Sequence, residues 1–220
     1  MSSLFGEEHT VRTIFRYGGV AASIILIALG VGAIVVGISG RADVGDQLAK
    51  EAIVGTPDMT PAAIKQEAAD AGLKNVSLPT CSVAGQSVDT GSEARCFAEY
   101  MRVHALEATG GKTYAQMPRY ATADGAGTND AAQALTRDGQ PVSNPAREIW
   151  ITETALTTAL NTSYFAQAVA LFAIVMGAAL LLTGIGFLLL STGLLAATGE
   201  ALRARRAAHA HGTSAHPAAG

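Results

Sequence analysis

The chain has 220 residues, of which 49% are hydrophobic, 15% charged and 5% aromatic, with a formal net charge of −3. Such a composition is too apolar for a disordered chain and too poor in aromatic rings for an ordinary soluble core. It also lacks the basic excess of nucleic-acid-binding proteins, so no nucleic acid partner is expected. Much of the apolar content is concentrated in two uncharged blocks.

The first uncharged block lies between Arg16 and Arg41. As a helix it would be roughly 36 Å long, which is enough to cross a hydrocarbon layer of about 30 Å with some tilt. The alternative is a cleaved secretory signal, but its hydrophobic stretch is only about 7 to 15 residues long. We therefore predict a retained transmembrane helix over residues 17–40, after an N-terminal segment of residues 1–16.

The next segment, residues 41–163, is predicted to form a small and partly irregular helical domain. Thr60 has the residue type of an N-cap, Pro61 that of the first helical position and Gly72 that of a helix stop, which together predict one short helix. The sequence that follows, NVSLPTCSVAGQSVDTG, is rich in turn formers and predicts extended or irregular chain.

The best-defined element of this segment is the helix predicted from SEARCFAEYMRVHALEATGG. Ser92 is the expected cap, and Gly110 and Gly111 are the expected end. A set of residues recurs at helical spacing and is expected to share one face: Phe97, Met101, His104, Ala105 and Ala108.

Two cysteines occur in the chain, Cys81 in the irregular stretch and Cys96 on the helix. A disulfide between them would close a loop of about 15 residues and stabilise a small domain by about 3 kcal/mol. It would also fasten the irregular stretch to the helix. This bond is our prediction for an oxidising compartment, and two free buried thiols are the alternative.

The last part of the segment begins with ATADGAGTNDAAQALTRDGQPVSN, which is small, polar and turn-forming and predicts a flexible excursion rather than a site. Helical signals resume where Asn144 caps and Pro145 opens a helix. Trp150 and Tyr164 on that helix are expected to mark the outer membrane interface. We expect the helix to run on into the second uncharged block.

This second block, Asn161 to Gly199, is too long for the core of a small soluble protein and predicts a transmembrane helix over residues 164–195. A tail of residues 196–220 follows. Both blocks contain small residues four apart, which permit close helix contact: Ala28 with Gly32, Ala33 with Gly37, and Ala173 with Gly177. Such faces favour packing of the two spans on each other, on a second copy or on another membrane protein, and the sequence alone does not choose.

The orientation follows from basic residues near the ends of the spans. Arg12 and Arg16 precede the first span, and the second span is followed by Arg203, Arg205 and Arg206, so these two ends are expected to be cytoplasmic. Arg16 and Arg41 are the expected membrane-interface residues of the first span. Between the spans, residues 41–160 contain ten Lys and Arg against fifteen Asp and Glu. The sequence therefore predicts an all-α, two-span protein of a bacterial cell membrane, with both termini cytoplasmic and the middle domain extracytoplasmic.

The sequence Gly-Gly-Lys-Thr at residues 110–113 matches the end of a phosphate-binding loop motif. Such a loop needs another glycine five positions before its last one, where this chain has Leu106. The tetrad also ends a predicted helix rather than opening one, and the C-terminal dipole of a helix repels phosphate. We therefore predict helix termination and no bound nucleotide.

The stretch MRVHALEATGGKTYAQM, followed by a second span, resembles a group of small actinobacterial two-span membrane proteins with an extracytoplasmic loop. Members often carry the name of an aromatic ring-opening dioxygenase subunit. The resemblance covers about residues 81–120 and the layout of the spans. It implies the same architecture, and it implies no activity.

The residues do not support dioxygenase chemistry, because that reaction uses non-haem iron held by two histidines and a carboxylate. The segment between the spans contains only His104. The remaining histidines are expected on the opposite side of the membrane: His9, His209, His211 and His216. No cofactor is predicted.

The main functional hypothesis is a non-enzymatic structural or accessory subunit of an envelope complex, which contacts lipid and other membrane proteins. The alternative is an extracytoplasmic enzyme or metal-dependent site around His104 and Glu107, together with Lys112 and Tyr114. That alternative requires the four side chains to converge. A helix-surface hydrogen bond or a packed histidine is the plainer interpretation of the His104–Glu107 spacing.

Overall fold

The computed structural model describes residues 3–193, with side chains over residues 17–193, so the predictions for Arg16 and for the tail lie outside the described side chains. The chain is mostly helical, as predicted. Its α-helices are α1 (Ser3–Lys50), α2 (Pro61–Asp70), α3 (Gly91–Ala108) and α4 (Pro145–Ser191), and two short 3₁₀-helices lie at Tyr114–Gln116 and Ala131–Gln133. The strands named in this part of the chain, β1 (Thr136–Arg137) and β2 (Gln140–Pro141), form one short antiparallel pair.

The chain divides into two compact units. The first, which we call the hairpin unit, comprises residues 1–38 and 172–220 and contains the apolar parts of α1 and α4. The second, which we call the central unit, comprises residues 39–171. Both long helices are apolar and long enough to cross a membrane.

In the hairpin unit α1 and α4 pack antiparallel through glycines that allow their backbones to touch. A Cβ placed on Gly30 would lie 2.7 Å from the carbonyl oxygen of Gly177 and 2.7 Å from the backbone nitrogen of Leu181. A Cβ on Gly184 would lie 2.8 Å from Cγ1 of Ile27. The two helices of this chain therefore pack on each other through Gly30 and Gly177.

The buried small residues of this contact are spaced by seven rather than four. They are Ser23, Gly30 and Gly37 on α1, and Gly177 and Gly184 on α4. A seven-residue repeat keeps one seam of a helix facing its neighbour along a left-handed supercoil. Gly32, expected in the contact, instead has open space where its Cβ would be.

The central unit has a core built mainly from α2, α3 and the irregular chain between them. Ile64 and Ala68 supply the buried face of α2, and the buried residues of α3 include Phe97, Tyr100 and Val103. The irregular stretch contributes Val83 and Val88, which are about 1% exposed, as expected for extended chain lying over a helix pair. Leu48 of α1 and Leu160 of α4 complete this core.

The structure forms the predicted Cys81–Cys96 disulfide, with the two Cα atoms 6.1 Å apart. Beside it, the buried Tyr100 donates a hydrogen bond from its hydroxyl to the carbonyl oxygen of Cys81, at 2.6 Å. The irregular stretch is therefore fastened to α3 twice, by a covalent bond and by a buried hydrogen bond.

Several helix boundaries follow the sequence signals. Thr60 caps α2 and Pro61 opens it, as predicted. Beyond α3, Gly110 and Gly111 take φ values of 60° and 75°, and the Gly111 amide donates to the carbonyl oxygen of Leu106. The interpretation of these glycines as helix terminators is therefore confirmed.

Other boundaries differ from the expectation. The cap of α3 is Thr90 rather than Ser92, because Thr90 and Glu93 exchange hydrogen bonds in a reciprocal capping box. Helix α1 continues to Lys50, past the Arg41 at which the span was predicted to end. The polar excursion contains the β1–β2 hairpin, whose turn residues Asp138 and Gly139 both have positive φ, as a type I′ turn requires.

Trp150, predicted at a membrane interface, is a buried residue of the central unit with 4% exposure. Its indole N–H donates to Oγ1 of Thr109 at 3.2 Å and to the carbonyl oxygen of Lys112 at 2.9 Å. The ring packs in a small second core with Leu106 and Met117. Trp150 therefore holds the end of α3 against α4.

Candidate functional site

A cluster of ionisable side chains lies where the loop before α2, α2 itself and α3 meet. Nε2 of His104 on α3 is 3.5 Å from Oδ2 of Asp58 and 3.6 Å from Oε1 of Glu67. The three possible ligand atoms lie within 4.8 Å of one another. Glu107, one turn along α3 from His104, places its carboxyl against that of Glu67. We call these four residues the acidic cluster.

Local sequence explains how the acidic cluster is assembled. Asp58 lies two residues before the Thr60 cap, so the start of α2 fixes its position. Glu67 lies beside Ile64 and Ala68, the two residues that α2 buries, so its carboxyl is held at the edge of the core. His104 follows the fully buried Val103 on α3. The packing of α2 on α3 thus brings an acid of one helix to the histidine of the other.

The electrostatics of the cluster are dominated by crowded carboxylates. The Glu107 carboxyl, which shares a hydrogen bond with Glu67, raises the pKa of Glu67 to about 7, and burial and the nearby Asp58 add to this effect. The Thr56 hydroxyl lowers the pKa of Asp58 by hydrogen bonding to its charged form, and the His104 imidazole contributes in the same direction. Neighbouring carboxyls therefore prefer different protonation states.

His104 is partly buried, and its Nε2 atom is buried without a hydrogen-bond partner. The carboxylate oxygens at 3.5 and 3.6 Å are beyond the range of about 2.7 to 3.2 Å that N–H···O hydrogen bonds occupy. A buried polar atom in this condition is uncommon in folded proteins. The imidazole therefore lies next to two acceptors and is bonded to neither.

The structure does not bring all four predicted site residues together. His104 and Glu107 belong to the acidic cluster, whereas Lys112 accepts the indole hydrogen bond of Trp150 through its carbonyl oxygen. Tyr114 packs instead under the guanidinium of Arg147, with the Arg147 Cζ 3.9 Å from the ring centroid. The hypothesis of one pocket built from those four side chains is therefore not supported.

His104 also borders an open groove of about 500 Å³ between α3 and α4. Its lining is mostly apolar and includes Met101, Ala105 and Ile149. Glu153, only 4% exposed, lies at one side of the groove. The imidazole of His104 therefore lies between the carboxylates of Asp58 and Glu67 and a groove lined on α3 by the apolar residues Met101 and Ala105.

Of the other predicted membrane-interface residues, Tyr164 and Arg41 lie in the described part of the central unit. Tyr164 is half-buried, and the guanidinium of Arg95 stacks over its ring with Cζ 4.9 Å from the centroid. Arg95 also pairs with Glu99 at 3.3 Å, as helical spacing predicts. Arg41 is exposed on α1. Arg203, Arg205 and Arg206 lie outside the described residues.

Sequence reasoning found His104 and Glu107 but missed Asp58 and Glu67. A local signal existed for Glu67, because the apolar Ile64 and Ala68 flank it at helical spacing and an acid at that position borders the buried face. Asp58 had no comparable signal. Its place beside His104 depends on how α2 packs on α3, which is a contact between residues far apart in sequence.

No protein-family model, curated protein or solved structure matches this chain.

Proposed function

We propose that this chain is a two-span integral membrane protein of a bacterial envelope and a non-enzymatic accessory subunit of a larger membrane complex. The observation that carries the membrane assignment is the exposure of the two long helices. Only 17% of the most apolar stretch of each is buried. A core helix of a soluble protein would be mostly buried, whereas a lipid-facing helix shows its large apolar side chains.

The exposed residues of the hairpin unit are large and aliphatic or aromatic. Those that are at least 56% exposed include Ile24, Ile25, Leu29, Val35, Val36, Phe172, Leu182 and Leu190. Patches of this extent are rare on monomeric soluble proteins and mark contact with lipid or with another protein. Small residues form the inner contact, so the large side chains remain available for the lipid or a partner.

The proposed orientation has both ends in the cytoplasm and the central unit outside. Its support is the arginines beside the predicted spans, Arg12 and Arg16 before the first and Arg203, Arg205 and Arg206 after the second, together with the disulfide, which persists in an oxidising compartment. Single-cysteine labelling tests it, since Cys81 and Cys96 are bonded to each other. Ser143→Cys should react with an impermeant maleimide in intact spheroplasts, and Ser214→Cys only after permeabilisation. The reverse pattern would overturn the orientation.

The accessory role rests on the contact surfaces rather than on any catalytic group. The inner seam is filled within the chain, so a partner would bind the outer helix faces or the central unit. Chemical cross-linking in membranes, followed by isolation of the tagged protein in mild detergent, should yield the same co-purifying membrane proteins repeatedly. An unrelated tagged two-span protein is the control. Recovery of a lone monomer after cross-linking would contradict the proposal.

A further inference from the structure

We propose that Asp58, Glu67 and His104 form a binding site for a divalent transition-metal ion of the Zn²⁺ type. The site lies in the central unit and goes beyond the accessory role proposed above. It offers one imidazole nitrogen and two carboxylate oxygens, all within 4.8 Å of one another. Three protein ligands leave a fourth position for water, which is the arrangement of open rather than closed zinc sites.

The spacing of the atoms favours a shared ion over direct ion pairs. Zinc bonds of 2.0 to 2.1 Å in a tetrahedral site place neighbouring ligand atoms about 3.4 Å apart. The His104 nitrogen is 3.5 and 3.6 Å from the Asp58 and Glu67 oxygens. A protonated histidine paired with a carboxylate would approach to about 2.7 to 2.9 Å. The observed distances therefore suit a bridging ion and are long for a hydrogen bond.

The unsatisfied nitrogen is an independent observation that points to a ligand. Nε2 of His104 is buried and makes no hydrogen bond, although it lies beside two acceptors. Ligation of a metal would satisfy this atom, because neutral imidazole binds metals through a ring nitrogen. Asp58 is 46% exposed at its side chain, which gives an ion a path from solvent.

The charge balance of the acidic cluster also favours a cation. Two carboxyl groups, those of Asp58 and Glu67, lie 3.5 and 3.6 Å from one imidazole nitrogen, and carboxylates held this close repel one another. A divalent ion between the ligands would remove that repulsion. The imidazole selects against Mg²⁺ and Ca²⁺, which prefer oxygen ligands alone, and suits Zn²⁺ and its neighbours.

The ion would join three parts of the central unit. Asp58 lies in the loop before α2, Glu67 on α2 and His104 on α3. The disulfide already fastens the irregular stretch to α3 at Cys96. A metal at His104 would fasten α2 and its preceding loop to the same helix, so binding should raise the thermal stability of the central unit.

The experiment is calorimetric titration of Zn²⁺ into the full chain in detergent, after removal of metal with EDTA and without a histidine tag. Histidine side chains coordinate zinc, so all proteins carry alanine at the tail positions His209, His211 and His216. We expect one tight site. His104→Gln and Glu67→Gln should each weaken it by at least about 100-fold, since ligand loss exceeds the 10- to 100-fold effect of removing a supporting residue.

Asp70→Asn is the matched control, because it removes an exposed carboxylate from the same helix as Glu67. It should leave the affinity for Zn²⁺ unchanged. Asp58→Asn provides a ligand variant at a half-exposed position and keeps the test valid if His104→Gln does not fold. Folding is checked by the fluorescence of Trp150, the single tryptophan.

Thermal unfolding followed by Trp150 fluorescence gives a second readout. Zn²⁺ should raise the unfolding temperature of the protein with the intact cluster and of Asp70→Asn, and should not raise that of Asp58→Asn or Glu67→Gln. The proposal is overturned if no tight site remains once the tail histidines are replaced, or if the cluster variants bind Zn²⁺ as tightly as the Asp70 control.

Discussion

The hairpin unit and the central unit distribute their side chains in opposite ways. In the hairpin unit the buried positions hold Ser23, Gly30 and Gly184, while Ile25 and Leu182 are exposed. In the central unit the largest fully buried side chain is Tyr100. Water drives large apolar groups inward, but lipid does not, and packing in lipid depends on close backbone contact through small residues. The contrast is the one expected if the two units fold in different solvents.

The two units also differ in what holds them together. The hairpin unit relies on a repeated steric fit with few polar contacts, such as the hydrogen bond from Ser23 Oγ to the carbonyl oxygen of Gly19. The central unit combines a disulfide, a buried tyrosine hydroxyl and a capping box. Substitutions should therefore act through different mechanisms in the two units, which makes the comparison testable.

The largest effect is expected from truncating a buried aromatic side chain. Phe97→Ala removes a ring that is 8% exposed in the central unit and should cost about 3 to 5 kcal/mol of its unfolding free energy. Phe172→Ala removes a ring that is 65% exposed in the hairpin unit and should cost about 0.5 kcal/mol.

Trp150 fluorescence reports unfolding of the central unit, and energy transfer between dyes on Gly18→Cys and Gly186→Cys reports opening of the hairpin. A Cβ at either labelled position meets open space. Equal losses from the two alanine variants would mean that both units bury their aromatic rings alike, contrary to the comparison.

The second-largest effect tests whether the exposed side chains of the hairpin unit face lipid. Leu182→Asp places a charge on an exposed hairpin position and should cost about 2.5 to 3.5 kcal/mol of membrane insertion. Val54→Asp makes a similar change at a position of the central unit that is 54% exposed and should have almost no effect. The measurement is the fraction of each protein that stays in the membrane after alkaline carbonate extraction. Full retention of Leu182→Asp would argue against a lipid-facing helix.

Much of the architecture was predictable because the signals are local. Uncharged runs identified α1 and α4. The residue types at Thr60, Pro61 and Asn144 correctly predicted where α2 and α4 begin. Ser92 was chosen wrongly as the cap because Thr90 is an equally good capping residue type. Glu93, three residues after Thr90, decides between them by forming the capping box with Thr90. Local rules therefore located the helices, but they missed the cap of α3, where two neighbouring residues competed for one role, and the continuation of α1 to Lys50.

The parts that escaped prediction depend on contacts between distant residues. Trp150 has the amphipathic character of an interface residue, whereas the folded chain buries it to 4% exposure with hydrogen bonds to Thr109 and Lys112. Asp58 became part of the acidic cluster through the packing of α2 on α3. The glycine seam was sought at a spacing of four, whereas a long helix pair that supercoils repeats every seven residues.

A smaller effect is expected from filling that seam. Gly30→Ala would place a methyl group 2.7 Å from the backbone of α4, so the helices must separate, at a cost of about 1 to 3 kcal/mol. Gly32→Ala is the matched control, since a Cβ there meets nothing within 4 Å. The same dye pair on residues 18 and 186 should lose energy transfer at a lower SDS concentration in Gly30→Ala than in Gly32→Ala. Indistinguishable titrations would show that the close contact does not hold the hairpin.

The smallest effect concerns the acidic cluster in the metal-free protein. The folded state holds a proton on Glu67 up to a pKa of about 7, above its ordinary value of 4.5, because Glu107, burial and Asp58 oppose ionisation. Between these two pH values the folded state binds more protons than the unfolded state, so stability should fall as pH rises from about 5 to 7. His104 also faces Glu67, so the variant comparison is needed to isolate the carboxyl.

Glu67→Gln isolates this effect because its amide cannot ionise and can still hydrogen-bond with Glu107. With EDTA present, the decline in the unfolding temperature between pH 5 and 7, followed by Trp150 fluorescence, should be smaller in Glu67→Gln than in the unsubstituted protein. Asp70→Asn, an exposed substitution on the same helix, should leave the decline as it is. If Glu67→Gln steepens or does not change the pH dependence, Glu67 is already ionised in the folded state. The crowding of carboxyls that distinguishes this corner of the central unit would then be relieved in another way.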